Sequence, residues 1–309
     1  MQGRDDGLSY QTIFREGRHR ITFSNIDNII DFHRTHLLPV LLDQRDSEYD
    51  AEKILNLFKS RSRDMKAFYG RYSIHYPMAG LIVSQEEEFF KKLKDHLNFH
   101  HKLSDLLIRP IQRLTQYEMI FQELMQTCTD ADKPEEAEIY RECIKITNEI
   151  SQATNSMVKA GRIEDFDGDI TKQGELIMEE EAEALLIRKQ SKFMTKEKSR
   201  EKINIFLFAQ SVIVCYIRIR RGSCGLDMKR YLFWHKFSVN NMQVRDIARG
   251  GNELHFELHD TSQNDFGGLT IAVQSLDKKN FIVKKVANEI RKLDLYKNSL
   301  VNPKHTFDV

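Results

Sequence analysis

From about Asn25 to Ala160 the apolar residues recur at helical spacing. In SNIDNIIDFHRTHLLPVLL, Ile26, Ile29, Ile30, His33, Leu37 and Leu41 fall on one stripe, with Ser24 expected as the N-cap. AEKILNLFKSRSRDMKAFYGRYSIHY carries the period through Ile54, Leu57, Phe58, Met65, Phe68 and Tyr72. SQEEEFFKKLKDHLNFH predicts a helix capped by Ser84, with acidic residues in the first turn where the helix dipole favours them. Another helix is expected in DLLIRPIQRLTQYEMIFQEL. A last one begins at Pro134 with Glu135 and Glu136 and runs through KITNEISQATNSMVKA. Five or so long helices with short connections and almost no glycine predict an elongated all-α bundle.

Beyond GRIEDFDGD the texture changes. INIFLFAQSVIVCYIRI is rich in β-branched and aromatic residues and broken at Ala209–Gln210, which predicts two strands and a tight turn. KRYLFWHKF, NELHFELH and GGLTIAV are strand-sized runs between Gly, Asn and Asp clusters. LDKKNFIVKKVANEIRKL returns to helical spacing, with Phe281, Val286 and Ile290 expected inward. These elements predict a small β-barrel or sandwich capped by a C-terminal helix. Residues 298–309 read as a loose tail, and no internal repeat is present.

Charge sharpens this division. Residues 1–165 hold 23 basic and 27 acidic side chains, whereas residues 166–309 hold 24 basic and 19 acidic. An acidic half followed by a basic half suggests modules with different partners, and the near-neutral total argues against a general nucleic-acid binder. Cys128, Cys143, Cys215 and Cys224 form no C-x-x-C pair, so neither structural zinc nor a disulfide framework is expected and a reduced, cytoplasmic setting is. Phosphate-loop, dinucleotide, nucleophile-elbow and zinc-protease motifs are lacking. His100 and His101 are neighbours on an expected helix and point about 100° apart, which suits surface and packing roles rather than a shared metal. Glu179–Glu183 lies between strand-like segments and reads as a solvated loop. No covalent chemistry, cofactor or metal is expected.

The segment from Asp105 to Leu124 is the most informative. Proline in a helix interior costs about 3 kcal/mol, so Pro110 is expected to mark a bend or restart. Leu103, Leu107, Leu114, Tyr117, Phe121, Leu124 and Cys128 can line a buried face. Gln112, Gln116, Ile120 and Glu123 form a second line beside Arg109 and Arg113. An apolar residue amid a polar stripe fits a partner-binding face as well as a solvated one.

LLIRPIQRLTQYEMIFQEL resembles the signature helix of the Dbl-homology (DH) domain, whose usual run is Leu-Ile-Lys-Pro-Val-Gln-Arg-Ile-x-Lys-Tyr. FSNIDNIIDFHRTHLLPVL resembles an earlier helix of that family. IKITNEISQATNSMVKAGRIEDFDGDITKQGELIM resembles its last helix and the entry into a pleckstrin-homology (PH) domain. HHKLSDLLIRP and VKAGRIEDFDGDI look most like the second exchange module of Trio and kalirin. The resemblance spans about residues 20–295. It implies a helical DH bundle at 21–163, a PH barrel at 164–297 and a linker or remnant at 1–20. The implied function is guanine-nucleotide exchange on a Rho-family GTPase, RhoA-like rather than Rac-like, without covalent chemistry. Carried over, Arg109, Gln112, Arg113, Gln116, Ile120, Asn155 and Ser156 fall on the GTPase-facing positions, with Arg113 alternatively bracing the bundle.

Three departures bear on that expectation. Gln116 stands where relatives usually carry lysine, and losing one such charge costs about 2 kcal/mol, or about 30-fold in affinity. Ser156 stands where an acidic residue is common. Residues 1–20 do not supply the family's glutamate-bearing first helix, with Glu16 in a glycine-flanked linker. Its lack would leave an apolar groove on the bundle. The alternative is an exchange-deficient adaptor that binds a GTPase or phosphoinositide. In the PH-like half, Lys189, Lys192, Lys196, Lys198, Arg200, Arg218 and Arg220 are candidates for anionic lipid, at about 1 kcal/mol per basic residue near the surface. The competing reading is a solvated loop. Peripheral attachment to the plasma membrane would follow from lipid binding. Phe281 stands where the last PH helix usually has tryptophan, and Trp234 is expected to pack.

Overall fold

A computed structural model describes residues 17–46, 50–188, 197–221, 227–247, 253–262 and 268–301. The chain divides into two compact units, Met1–Val158 and Lys159–Val309.

The first unit is helical: α1 (Arg18–Thr22), α2 (Ile26–Phe32), a π-turn (His33–Leu37), α3 (Leu38–Asp46), α4 (Ala51–Gln85), α5 (Glu87–His96), α6 (Leu103–Leu107), α7 (Arg109–Asp130) and α8 (Pro134–Ala160). Residues 18–20, in the stretch expected as a linker or first-helix remnant, are helical. Asn25, not Ser24, is the N-cap of α2. Ser24 has φ 47°, and its hydroxyl lies 2.8 Å from His75 Nδ1. Its oxygen is spent on a neighbouring helix and not on the next turn. Along the first stripe Ile29 and Leu37 are buried but Ile30 and Leu41 are exposed. The π-turn inserts a residue between them, so a single 3.6-residue period cannot describe both sides.

The expected break before Ser84 does not occur. α4 runs unbroken for 35 residues through Pro77, and Ser84 lies inside it. The buried residues Tyr69, Tyr72, Ser73, Ala79, Ile82 and Val83 stay in phase on both sides of the proline. Burial along that face outweighs one lost hydrogen bond. Asp50 caps α4 by accepting from Glu52 N at 2.9 Å. His100 and His101 are exposed in the connection between α5 and α6 and not on a helix, because α5 ends at His96 with Asn98 at φ 52°.

One aromatic-rich core joins α2, α4, α7 and α8. Phe58 sits edge-on to Tyr117 at 5.5 Å and to Phe121 at 5.1 Å, and Phe121 stacks on Tyr140 at 6.3 Å. Tyr72 Oη donates to Leu107 O at 2.8 Å, holding α6 to α4.

In the second unit the strands are β1 (Ile163–Glu164), β2 (Leu176–Arg188), β3 (Glu197–Phe208), β4 (Ser211–Arg221), β5 (Asp227–Ser238), β6 (Met242–Asp246), β7 (His255–Asp260) and β8 (Gly268–Ala272). They form one sheet in the order β1-β5-β4-β3-β2-β8-β7-β6, antiparallel except for β1 with β5. Its end strands do not pair with each other among the described residues, yet Val214 and Phe237 from one half and Phe256, Leu258 and Ile271 from the other enclose one core, as expected of a capped barrel or sandwich. Helix α9 (Leu276–Val301) packs on it through Ile282 and Val286. The Ala209–Gln210 turn lies between β3 and β4 as expected.

Strands β3 and β4 read as near-continuous apolar runs because both faces are covered. Ile203, Ile205, Leu207, Val212 and Val214 point into the main core, while Phe206 lies against Tyr231 on the other side. Trp234 packs, stacked on Tyr216 at 4.6 Å.

Four expectations change here. Glu179–Glu183 is strand, not loop, lying within β2 and paired with β3. Glu179 accepts from Lys159 Nζ at 2.9 Å and from Asn204 Nδ2 at 3.1 Å, so its carboxylate replaces water with charged and amide donors. Residues 197–202 likewise belong to β3 and not to a loop. Phe281 is 44% exposed, and Ile282 at 0% takes the inward position one residue later. Residues 298–301 are helical, continuing α9. Near the start of α9, the buried Lys279 ammonium donates to Glu253 O at 2.7 Å and pairs with Asp246. That pairing lets a lysine occupy an inward helix position.

His235 makes the second unit acid-sensitive. Burial pushes its pKa below the ordinary 6.5, only partly opposed by Asp260, whose Oδ2 lies 3.8 Å from Nε2. The unfolded chain therefore binds a proton that the folded unit resists, and stability falls as pH drops through about 6.5. Asp260, held below its ordinary 3.8 by hydrogen bonds from Ser262, adds a further loss below that value. Urea unfolding of the second unit is expected to show a lower midpoint at pH 5.5 than at pH 7.5. His235→Gln is expected to flatten that difference, and an unchanged slope would remove His235 as its source.

Candidate functional site

Helix α7 is the centre of the candidate site. Ile108 separates it from α6, and Pro110 lies in its first turn. A proline there loses no helical hydrogen bond, since first-turn N–H groups have no partner within the helix. Ile111 N and Gln112 N both bond to Ile108 O at 3.1 Å, closing the first turn on the residue before the helix. Pro110 therefore marks the restart expected from the sequence.

Leu114, Tyr117, Phe121 and Cys128 are buried in the aromatic core, with Leu107 buried on α6 and Leu103 and Leu124 half-buried. The opposite side exposes Arg109, Gln112, Arg113, Gln116, Ile120 and Glu123. Ile120 is 44% exposed, and Met119 beside it is 54% exposed. Met119 was missed in the sequence, although it lies three residues after Gln116 and seven after Gln112. The exposed face therefore holds an apolar pair, Met119 and Ile120, with amides and guanidinium groups toward the helix start.

Helix α8 packs against the buried side of α7. Besides the Phe121–Tyr140 stack, the Asn148 amide in its hydrogen-bonding orientation donates to Glu118 Oε2 at 2.8 Å. Asn155, two turns further on α8, lies about 10 Å beyond that contact, toward the Gln112 end of α7. It is exposed, and Ser156 is half-buried.

Arg113 has a second relationship. Its guanidinium carbon lies 6.0 Å from the centre of the Tyr117 ring. Burial pushes the Tyr117 hydroxyl up to about 12, with Arg113 pulling the other way, so it stays protonated at neutral pH. His33 Nδ1 donates to Ile29 O at 2.7 Å, which leaves Nε2 to accept from the Tyr117 hydroxyl. Tyr117 thus connects the exposed arginine to the π-turn.

Of the residues considered for lipid, Lys189, Lys192 and Lys196 lie outside the described residues, and Lys198 is placed on the β3 backbone. Arg200 pairs with Glu183 at 3.2 Å. Arg218 pairs with Glu201 at 3.0 Å and lies over the Tyr216 ring at 5.0 Å. Arg220 is exposed. The strand carboxylates therefore offset part of the positive charge read from the sequence.

Burial pushes the Cys143 and Cys215 thiols up to about 12, so both are unreactive near neutral pH. No cluster among the described residues has the three His, Cys, Asp or Glu groups needed for a metal. No helix among them is long and apolar enough to cross a membrane.

A RhoGEF domain model matches residues 6–155, and a SOS1/NGEF-like PH domain model matches residues 170–289. The chain is a Dbl-family DH–PH tandem. Its similar proteins include Rho guanine nucleotide exchange factor 25 of Mus musculus, 25% identical over 291 residues, covering 93% of this chain and 45% of the relative. The Homo sapiens protein of that name is 27% identical over 261 residues, covering 82% of this chain and 42% of the relative. Proto-oncogene DBL of Homo sapiens is 22% identical over 237 residues, covering 75% and 25%. The tandem thus spans less than half the length of these curated relatives. Among solved structures, PDZ-RhoGEF DH/PH domains in complex with activated RhoA superpose with a TM-score of 0.42 at 13% identity, covering 91% of this chain and 85% of that one. That superposition is loose, and the assignment rests on the two domain matches. The exposed α7 face lies within the DH match, and the paired arginines of β3 and β4 lie within the PH match.

Proposed function

We propose that this DH–PH tandem is a guanine-nucleotide exchange factor for a Rho-family GTPase. The supporting observation is the exposed α7 face, within a segment matched as a RhoGEF domain. It combines Gln112, Gln116 and the apolar Met119–Ile120 pair on a helix whose other side is locked in an aromatic core. A rigid helix of this kind suits a partner whose switch segments must deform to fit it. Exchange then needs only differential affinity. A surface that binds the nucleotide-free GTPase better than the loaded form favours release of GDP without covalent chemistry. Gln112, Gln116, Ile120 and Asn155 form the contact line, with Arg109 and Ser156 at its margins. Arg113 serves partly as a brace over Tyr117.

The domain division at 21–163 and 164–297 is part of this reading, supported by the compact units meeting at residue 158. A RhoA-like partner is favoured over a Rac-like one, on the resemblance of HHKLSDLLIRP and VKAGRIEDFDGDI to the second module of Trio and kalirin. The PH unit supplies a cytoplasmic, membrane-peripheral attachment, with exposed Arg220 as its described candidate contact to anionic lipid.

The test is release of fluorescent GDP from purified RhoA, Rac and related GTPases with the tandem added. Accelerated release from RhoA above Rac is the expected result. Binding of a GTPase with no acceleration would replace exchange by an adaptor role.

A further inference from the structure

A concavity of about 440 Å³ opens on the DH unit between the end of α4, the start of α5 and α6. Its floor is apolar. Val83 and Phe90 are buried, and Leu103 packs against the cluster they form. One wall is bare backbone at Gly80, where an added Cβ would meet nothing within 4 Å. The lining is cationic, with Lys91, Lys94 and Lys102 against the single carboxylate of Glu87. Glu87 lies 3.8 Å from Lys102, and Lys94 pairs with Asp95 at 3.2 Å. Lys91 forms no ion pair among the described residues.

An apolar floor beneath three lysines, of which Lys91 is unpaired among the described residues and Lys102 holds only a long contact to Glu87, complements a molecule that is apolar at one end and anionic at the other. Small-molecule sites commonly run from about 300 to 1,000 Å³. This one lies toward the lower end, which suits a single alkyl chain better than a two-chain phospholipid. We propose that this pocket binds a single-chain anionic amphiphile, a monomeric alkyl carboxylate, with its tail on Val83, Phe90 and Leu103 and its headgroup at Lys91 and Lys102. Lys91 supplies the direct charge, and Lys102 exchanges its long contact with Glu87 for the ligand carboxylate. The site is built from residues apart from the α7 contact line and does not depend on exchange activity.

Titration of the full chain with decanoate below its micellar range, followed by calorimetry, tests this. One molecule is expected to bind per chain. Lys91→Glu is expected to weaken binding about tenfold, the size of one charge-assisted contact. Gly80→Leu places a side chain in open space within the pocket and is expected to abolish binding while the far-ultraviolet circular dichroism is kept. If Gly80→Leu lowers the melting temperature, Lys91→Gln takes its place and is expected to show a smaller loss than Lys91→Glu. Decanol should bind more weakly than decanoate. Equal affinity for the acid and the alcohol overturns the proposal, as does equal decanoate affinity in the parent and the charge variants. Retention on phosphatidylserine vesicles without decanoate binding overturns the single-chain assignment in favour of a membrane contact.

Discussion

Ile120→Asp is expected to lower the tandem's stimulation of GDP release from the GTPase about 30-fold or more while leaving the melting temperature of the DH unit unchanged. The residue is 44% exposed on the face of α7 opposite the core, so replacing it opens no cavity. An aspartate there would be desolvated without a partner at the centre of the proposed contact, a loss of about 2 kcal/mol for a hot-spot position. Asn155→Ala is expected to act in the same direction and more weakly, because it lies on α8 and not on α7. Gln116→Lys should act oppositely, raising GTPase affinity by restoring the charge usual in the family. Fluorescent-GDP release, with circular dichroism melts run in parallel, reads all three. If Ile120→Asp releases GDP as fast as the parent, the α7 face is not the contact and the proposed site is lost. Slower release accompanied by early melting would instead place Ile120 in the fold.

Phe58→Ala carries the largest expected effect on stability. The ring is 1% exposed and sits edge-on to both Tyr117 and Phe121, joining α4 to α7 at the centre of the aromatic core. Truncating a buried phenylalanine costs about 3–5 kcal/mol in lost transfer energy and an unfilled cavity. Domains of this size are commonly stable by only about 5–15 kcal/mol, so this is a large fraction of the total. The same cavity lies behind the exposed line of α7, so exchange should fall through loss of rigidity as well as loss of folded protein. Denaturant melts followed by near-ultraviolet circular dichroism measure the first effect. A midpoint within experimental error of the parent would mean that Phe58 is not the keystone its ring contacts indicate. Phe58→Leu, which keeps most of the apolar volume, is expected to recover much of the loss.

The α-then-β order was legible because helical and strand periods arise locally, from residues a few positions apart. The buried face of α7 and its exposed line were legible for the same reason, since a straight helix carries one period from Leu114 to Cys128. Local pattern failed wherever an insertion or a second covering layer changed the rule. The π-turn at His33–Leu37 shifts the phase of one stripe ahead of Leu41, which is exposed. Packing along α4 carried a helix through Pro77 and past Ser84, where local propensity predicted a stop. Glu179 reads locally as a loop carboxylate, whereas Lys159 and Asn204 hold it within β2.

The sequence alone determined two modules, a bundle followed by a sheet, and singled out the helix after Pro110, because periodicity and a contiguous motif need no distant partner. Tertiary structure alone decided that Arg113 lies over Tyr117, that strand carboxylates offset the PH arginines, and that Ile282 rather than Phe281 turns inward. Each of those outcomes depends on side chains brought together across the fold, whose distances and burial no local spacing contains.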